Sequence, residues 1–257
     1  MQETGNNIQD VALRLTIQTG RDYLLFAVGA PKSVERYVVE TYTNNQGISL
    51  AANLREAFNT SELLQSGYQK VLVLTDSPTL LVPINEYVES DAETLFNHAF
   101  TGMKGSVVEA SVVHWANCVA LIGVNKDLHT VVCDHFKEKQ FIPIGQPVWH
   151  QAFQHCFTGN RNKLYAHFYG ERMEIFCFSH NRFRFYNQFP SEHAHDALYY
   201  MLYAWKQLAF DEENDELHLM GTHQHSTWLK EKLSQYLRRV YHDTNASHTV
   251  LNSLYDK

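Results

Sequence analysis

Cysteine, proline and glycine are scarce in this chain of 257 residues, with 4, 6 and 12 copies. The cysteines, Cys118, Cys133, Cys156 and Cys177, lie far apart with no CxxC pair. That spacing suits neither a zinc ribbon nor a dense disulfide framework. Positive charge is also in deficit: 21 basic against 28 acidic side chains give a net charge of −7, with no electrostatic footprint for nucleic acid. The most apolar stretch, Val112 to Val124, is interrupted by His114, Asn117 and Cys118 and is too short to cross a bilayer. The opening segment MQETGNNIQD carries no basic residue, so no secretory signal is expected and a reduced, cytoplasmic protein is. The sequons Asn59-Thr60-Ser61 and Asn245-Ala246-Ser247 then carry little meaning. Hydrophobic residues at 44% and charged residues at 19% exclude disordered and fibrous chains. The length allows one large core or two modest ones.

What is present is a pattern that occurs twice. Ala12 to Thr19 and Tyr23 to Val28 read as a hairpin around Gly20-Arg21-Asp22, followed by a strand from Val34 to Tyr42. A helix capped by Ser49 carries Leu50, Leu54, Ala57, Phe58 and Leu64 along one side. Val71 to Leu74 is a strand apolar on both faces, ending at Thr75-Asp76-Ser77-Pro78. In the second half, Leu164 to Tyr169 and Met173 to Phe178 flank Gly170-Glu171-Arg172, and Arg182 to Phe189 alternates as a half-wet strand. A helix runs from Pro190-Ser191 to about Ala209, Leu217 to Met220 forms a strand ending at Gly221-Thr222, and a last helix from Ser226 buries Leu229, Leu233, Leu237 and Val240. Strand–strand–strand–helix–strand thus occurs twice, with Gly20 set against Gly170. Between the copies lie strands at Val107–Val113 and Val119–Val124, a helix from Asp127 to Phe136, a strand from Phe141 to Ile144 and a helix from Pro147 to Phe157. The expected class is α/β, built from mixed-sheet α+β units. The polar segment from Thr158 to Lys163 is the expected boundary, giving domains 1–158 and 159–257, with the carboxyl-terminal helix free to return to the first.

Two such units resemble the actin-like ATPase superfamily, in which two ribonuclease-H-like domains face each other across a nucleotide cleft. More narrowly, LRLTIQTGRDYLLFAV, LYAHFYGERMEIFCFS and the strand end LHLMGTH resemble an uncharacterised bacterial family with an actin-like fold and a domain of unknown function. The resemblance implies an Asp-x-Gly at the first hairpin of each half, which sets amides against phosphate and a carboxylate near magnesium. Here the hairpins read Gln18-Thr19-Gly20 and Phe168-Tyr169-Gly170. Both carboxylates are missing: glutamine lacks the charge that holds a hard cation, and Phe168 is expected to put a ring where phosphate approaches. The adenosine motif keeps one glycine, in Gly221-Thr222. The resemblance with these departures implies a degenerate, non-catalytic actin-like protein that needs no cofactor and acts through a protein partner. The alternative it implies is a divergent kinase or phosphotransferase using ATP with Mg, with Asp76 as base and Gln18, Thr19, Gly20, Gly170, Gly221 and Thr222 near nucleotide.

Other constellations carry less. Asp76, at a strand's carboxyl end where ligands gather in α/β sheets, is the best remaining catalytic carboxylate, set against the more ordinary reading of a turn residue that caps its own backbone. His218, His223 and His225 are the candidate metal ligands, whereas His193 and His195 point apart on their helix. Thr101-Gly102-Met103-Lys104-Gly105-Ser106 has the wrong order for a phosphate loop. Cys133 near His129 and His135 reads as packed core rather than a nucleophile. Glu86, Glu89, Asp91 and Glu93 read as a solvated face, and Tyr199, Tyr200, Tyr203 and Trp205 as buried helix or as an exposed interface.

Overall fold

The computed structural model describes residues 14–30, 36–156, 161–243 and 248–255. Two compact units emerge: unit 1 is Met1–Ile144 with Tyr255–Lys257, and unit 2 is Gly145–Leu254. The first half of the expected boundary segment, from Thr158 to Asn160, the sequon at Asn245 and the starts of two expected strands, at Ala12 and Val34, lie outside the described residues.

Unit 1 begins with β1 (Leu15–Thr19), β2 (Tyr23–Gly29) and β3 (Tyr37–Thr43), followed by β4 (Lys70–Thr75) and β8 (Glu138–Pro143) in a five-stranded sheet of order β3-β2-β1-β4-β8. β1 pairs antiparallel with β2 and parallel with β4. Leu15, Ile17, Val71 and Val73 project from one face, as the two-residue period requires, into a core shared with α1 (Leu50–Ala57) and α4 (Lys126–His135). Ser49 caps α1, its side chain accepting from the Ala52 amide. The helix expected to continue to Leu64 is two helices. Ser61 caps a second start, α2 (Glu62–Gln65), by accepting from the Leu64 amide, while its hydroxyl donates to Glu40.

A second sheet in unit 1 has the order β5-β7-β6, formed by β5 (Thr79–Pro83), β6 (Val107–Val113) and β7 (Cys118–Val124). β5 and α3 (Ala92–Ala99) were absent from the sequence reading. The flanking prolines and the acidic run, all of it exposed, mask their short apolar stripes. Near the end of the chain α8 (Thr249–Tyr255) places Tyr255 in unit 1. Its hydroxyl lies 2.9 Å from Thr16 Oγ1 and donates to the Ala27 carbonyl at 3.3 Å, and its ring stacks on Tyr37.

Unit 2 repeats the plan. β9 (Lys163–Tyr169), β10 (Arg172–Ser179), β11 (Arg182–Pro190), β12 (Glu216–Gly221) and β13 (Val240–His242) form a sheet of order β11-β10-β9-β12-β13. Leu164, Ala166, Phe168, Leu217 and Leu219 pack under α6 (Ala194–Gln207) and α7 (Ser226–Leu233). The expected last helix stops at Leu233. Val240 lies instead in β13, paired parallel with Leu217, because that strand completes the fifth ladder. α6 begins after Pro190, which ends β11, and closes at Ala209 with φ of 53°. The helix α5 (Gln146–His155) belongs to unit 2 although it precedes the second repeat in sequence. No described helix is long and apolar enough to cross a membrane.

Candidate functional site

In unit 1 the carboxyl ends of β1 and β4 are laced together by one hydroxyl. Thr19 Oγ1 donates to the Leu74 carbonyl and accepts from the Asp76 amide, each at 3.1 Å. This brings Gly20 and Asp76 to the rim of a cavity of about 210 Å³, lined also by Thr19, Arg21, Asn44 and Gln46. Asn44 Nδ2 donates to the carbonyls of Gly20 and Arg21, both at 3.0 Å, and so shapes the hairpin from inside. Buried Asn53 holds a further wall, donating to the Asn45 and Ser49 carbonyls and accepting from the Asn45 amide at 2.7 Å. Beyond the rim, Ser77 Oγ donates to the Gly123 carbonyl at 2.8 Å and ties the end of β4 to β7. Among the described residues the cavity therefore offers one carboxylate, one guanidinium and several amides to a small polar ligand. Gln18 is not in its lining; it is buried in the sheet, opposite Leu25 of β2.

The second hairpin is built differently. Leu15 pairs with Val71 in unit 1, and Leu164 with Leu217 in unit 2, each pair facing the helices. Counting along from those pairs, Thr19 corresponds to Phe168, and Gly20 to Tyr169. The alignment of Gly20 with Gly170 is therefore one residue out, and one residue is enough to exchange the faces of a strand. For the same reason Phe168 does not stand in a phosphate path: its ring is buried in the helix-side core, 4.8 Å from the ring of His223. Gly170, with φ of 53°, turns a tighter hairpin in which Tyr169 pairs directly with Arg172. Gly221 adopts φ of 80° beside the Phe168 carbonyl, where any Cβ would collide, and Thr222 is exposed.

On the opposite face of this sheet lies a polar cluster that the sequence reading missed. Glu174 is fully buried, and its carboxylate accepts from Tyr186 Oη at 3.0 Å, Trp149 Nε1 at 3.2 Å and Gln188 Nε2 at 3.4 Å. His167 Nδ1 lies 3.2 Å from it, on the neighbouring strand. The carboxylate also sits against the backbone of Gly145, the N-cap of α5, so close that a Cβ there would overlap it. Negative charge at that end of a helix is favoured by the peptide dipoles. The available signal was a lone glutamate in the strand Met173-Glu174-Ile175-Phe176-Cys177-Phe178, on the face otherwise given to phenylalanine.

The histidines proposed as metal ligands have other roles. His218 is third in an aromatic ladder across four strands: Phe176, Tyr165, His218 and Tyr241 stack with centroids 5.1, 4.8 and 4.9 Å apart. Its Nε2 lies 3.1 Å from Glu216 Oε2. Burial holds the His218 pKa below its ordinary value, against the pull of Glu216. Burial pushes Glu216 upward, but hydrogen bonds from His218 and Arg161 outweigh it and leave the carboxyl low. His223 Nδ1 accepts from the His225 amide at 3.1 Å, and burial holds its pKa down too. Among the described residues no three potential ligands converge.

Cys133 Sγ lies 3.5 and 3.8 Å from the two ring nitrogens of His129. Such similar distances put the sulfur over the ring rather than in line with a lone pair, and Phe141 stacks on the same ring. His129 Nε2 meets Glu109 at 2.8 Å. Packing, not proton transfer, is what this geometry favours. Of the four aromatic residues on α6, Trp205 is core and Tyr200 stacks on Phe189, whereas Tyr199 and Tyr203 are exposed by 61% and 48%.

Comparison with known proteins agrees with this architecture. The model of a family described as a protein of unknown function, DUF3822, matches residues 2–240. Among solved structures, the chain is similar to a protein of actin-like ATPase fold and unknown function from Bacteroides thetaiotaomicron. The two share 25% identity over 98% of each chain, with a TM-score of 0.88. It is also similar in fold to a chain of the PilM-PilN type IV pilus biogenesis complex, with 10% identity over 91% of this chain and 88% of that one and a TM-score of 0.56. No curated protein matches it in sequence.

Proposed function

The chain belongs to the DUF3822 family and has the actin-like ATPase fold, and from that premise we propose that it acts without catalysis, through contacts with other proteins. The observation carrying this reading is the chemistry of the first hairpin. Gln18 stands where the superfamily has its aspartate and is buried away from the cavity. The hydroxyl of Thr19 is already engaged as donor and acceptor by its own backbone neighbours. Magnesium fits this donor set poorly: among the described residues Asp76 is the one carboxylate lining the cavity, and Arg21 lines it as well. The PilM-PilN structure supports the reading by analogy, since there a protein of this fold is found in a complex.

A second reading is favoured by the cavity itself, which lies at strand carboxyl ends as ligand sites of α/β sheets do. In that case the protein is a divergent phosphotransferase with Asp76 as base. Magnesium-dependent ATP turnover, together with a thermal-shift titration, decides between them. The first reading expects no turnover and no shift at millimolar nucleotide, because only a ligand that binds the native state raises the melting point. Turnover that disappears in Asp76→Asn, with the fold retained, would establish the second.

A further inference from the structure

The exposed face of α6 is self-complementary, and we infer that it pairs with the same face of a second copy of this chain in an antiparallel, two-fold contact. Its central stripe is four exposed side chains, Asp196, Tyr199, Tyr203 and Lys206, flanked by exposed His195 and Gln207. Tyr199 and Tyr203 are equidistant from Met201 along the chain, as are Asp196 and Lys206. At 3.6 residues per turn all four fall within about 40° of the direction opposite Met201. Met201 itself is buried in the core of unit 2. The stripe therefore runs acid, tyrosine, tyrosine, base, centred on the middle of the helix.

A two-fold axis through that centre sets each end of the helix against the opposite end of its copy. Asp196 then meets the partner's Lys206 and Lys206 the partner's Asp196, while the tyrosines meet tyrosines. Among the described residues no ion pair involves Asp196 or Lys206. Tyr199 and Tyr203 are already ordered against each other, with ring centroids 5.8 Å apart and planes inclined by 18°. Little rotamer freedom remains to be lost when a second pair covers them. An unrelated partner would require no such symmetry in the stripe; a second copy does. One helix pair is a contact at the small end of specific interfaces, so the dimer should be weak, with a dissociation constant of roughly micromolar order.

This inference goes beyond the interaction reading and does not rest on it. Its test reads mass rather than nucleotide turnover, so the two fail separately. Sedimentation equilibrium of the full chain, from low micromolar to near-millimolar concentration, should show a monomer–dimer equilibrium that weakens with salt. Asp196→Lys alone, or Lys206→Asp alone, places like charges at both ends of the contact and should weaken association by about tenfold or more. The double reversal, Asp196→Lys with Lys206→Asp, should restore it, which no general surface or folding defect would do. Tyr199→Ser with Tyr203→Ser should abolish it while leaving the melting temperature within a few degrees. A monomer at every concentration overturns the inference and leaves the face to a different protein. A dimer indifferent to the single reversals overturns it as well.

Discussion

Units 1 and 2 share one strand order, yet the same positions in the two sheets solve opposite problems. Opposite Gln18 on β1 stands Leu25; at the corresponding place in unit 2, His167 faces Glu174. Leu72 on β4 corresponds to His218 on β12, since each lies beside the matching residue of the central strand, Thr16 or Tyr165. Unit 1 thus keeps this face mostly apolar and spends its polar groups at the hairpin, where a cavity remains. Unit 2 buries an ionic and aromatic network within the sheet and fills the helix side of its hairpin end with Phe168. Topology fixes where backbone runs, and the side chains then decide which end of a repeat can hold a ligand.

The strongest way to break this comparison is at Glu174. Glu174→Leu imports the unit 1 solution, and it should cost about 3–5 kcal/mol, because Trp149, Tyr186 and His167 lose a shared buried partner. Urea unfolding measures it, and a loss under about 1 kcal/mol would show the network to be incidental. Thr19→Val in unit 1 removes the hydroxyl between Leu74 and Asp76 and should cost about 1–2 kcal/mol. The same melts read it, and a neutral result would separate the cavity's shape from that lacing.

Acid sensitivity should localise to unit 2. His218 and Glu216 both have lowered pKa values in the folded protein, so the unfolded chain binds more protons and stability falls with falling pH. The loss begins below the ordinary histidine range, near pH 6.5, and deepens through the carboxylate range, by at most about 1.4 kcal/mol per pH unit for each proton. His218→Phe should flatten the upper part of that curve, as read by thermal melts between pH 7 and 5.5. The smallest effect belongs to Lys70 and Glu138, an exposed pair 2.9 Å apart in unit 1. Lys70→Ala should change stability by less than about 0.5 kcal/mol, and a larger change would mean that the ionic contrast between the units is overdrawn.

How much of this was legible in the sequence follows from the range of each interaction. The two hairpins, β4, β6, β7 and α6 were readable because their signal is local: alternation, a cap, a turn glycine. β5 is short and ends in Pro83, and β13 is only three residues long, so their apolar period never completes. The faulty match of Gly20 to Gly170 arose because glycine marks a turn without marking which face precedes it. Only the pairing of β1 with β4 and of β9 with β12 supplies that parity. Of the candidate site, Thr19 and Gly20 were named through the resemblance and Asp76 from its place at a strand's end, and all three line one cavity. Asn44 and Asn53, which shape it, were missed because loop asparagines look alike until the backbone they bond is known. Trp149 and Glu174 meet across 25 residues, a distance over which no periodicity reports.

The place of Tyr255 has a consequence for the order of events at the ribosome. Thr16 and Ala27, in the first hairpin, receive their hydroxyl partner from a residue made 239 and 228 positions later. Between the end of the main segment of unit 1 at Ile144 and Tyr255 lies the whole of unit 2. At cellular elongation rates the earlier strands wait on the order of ten seconds for that ring. The first-made sheet therefore stays unfinished while the whole of unit 2 is being synthesised, and its last hydrogen bonds close only after that.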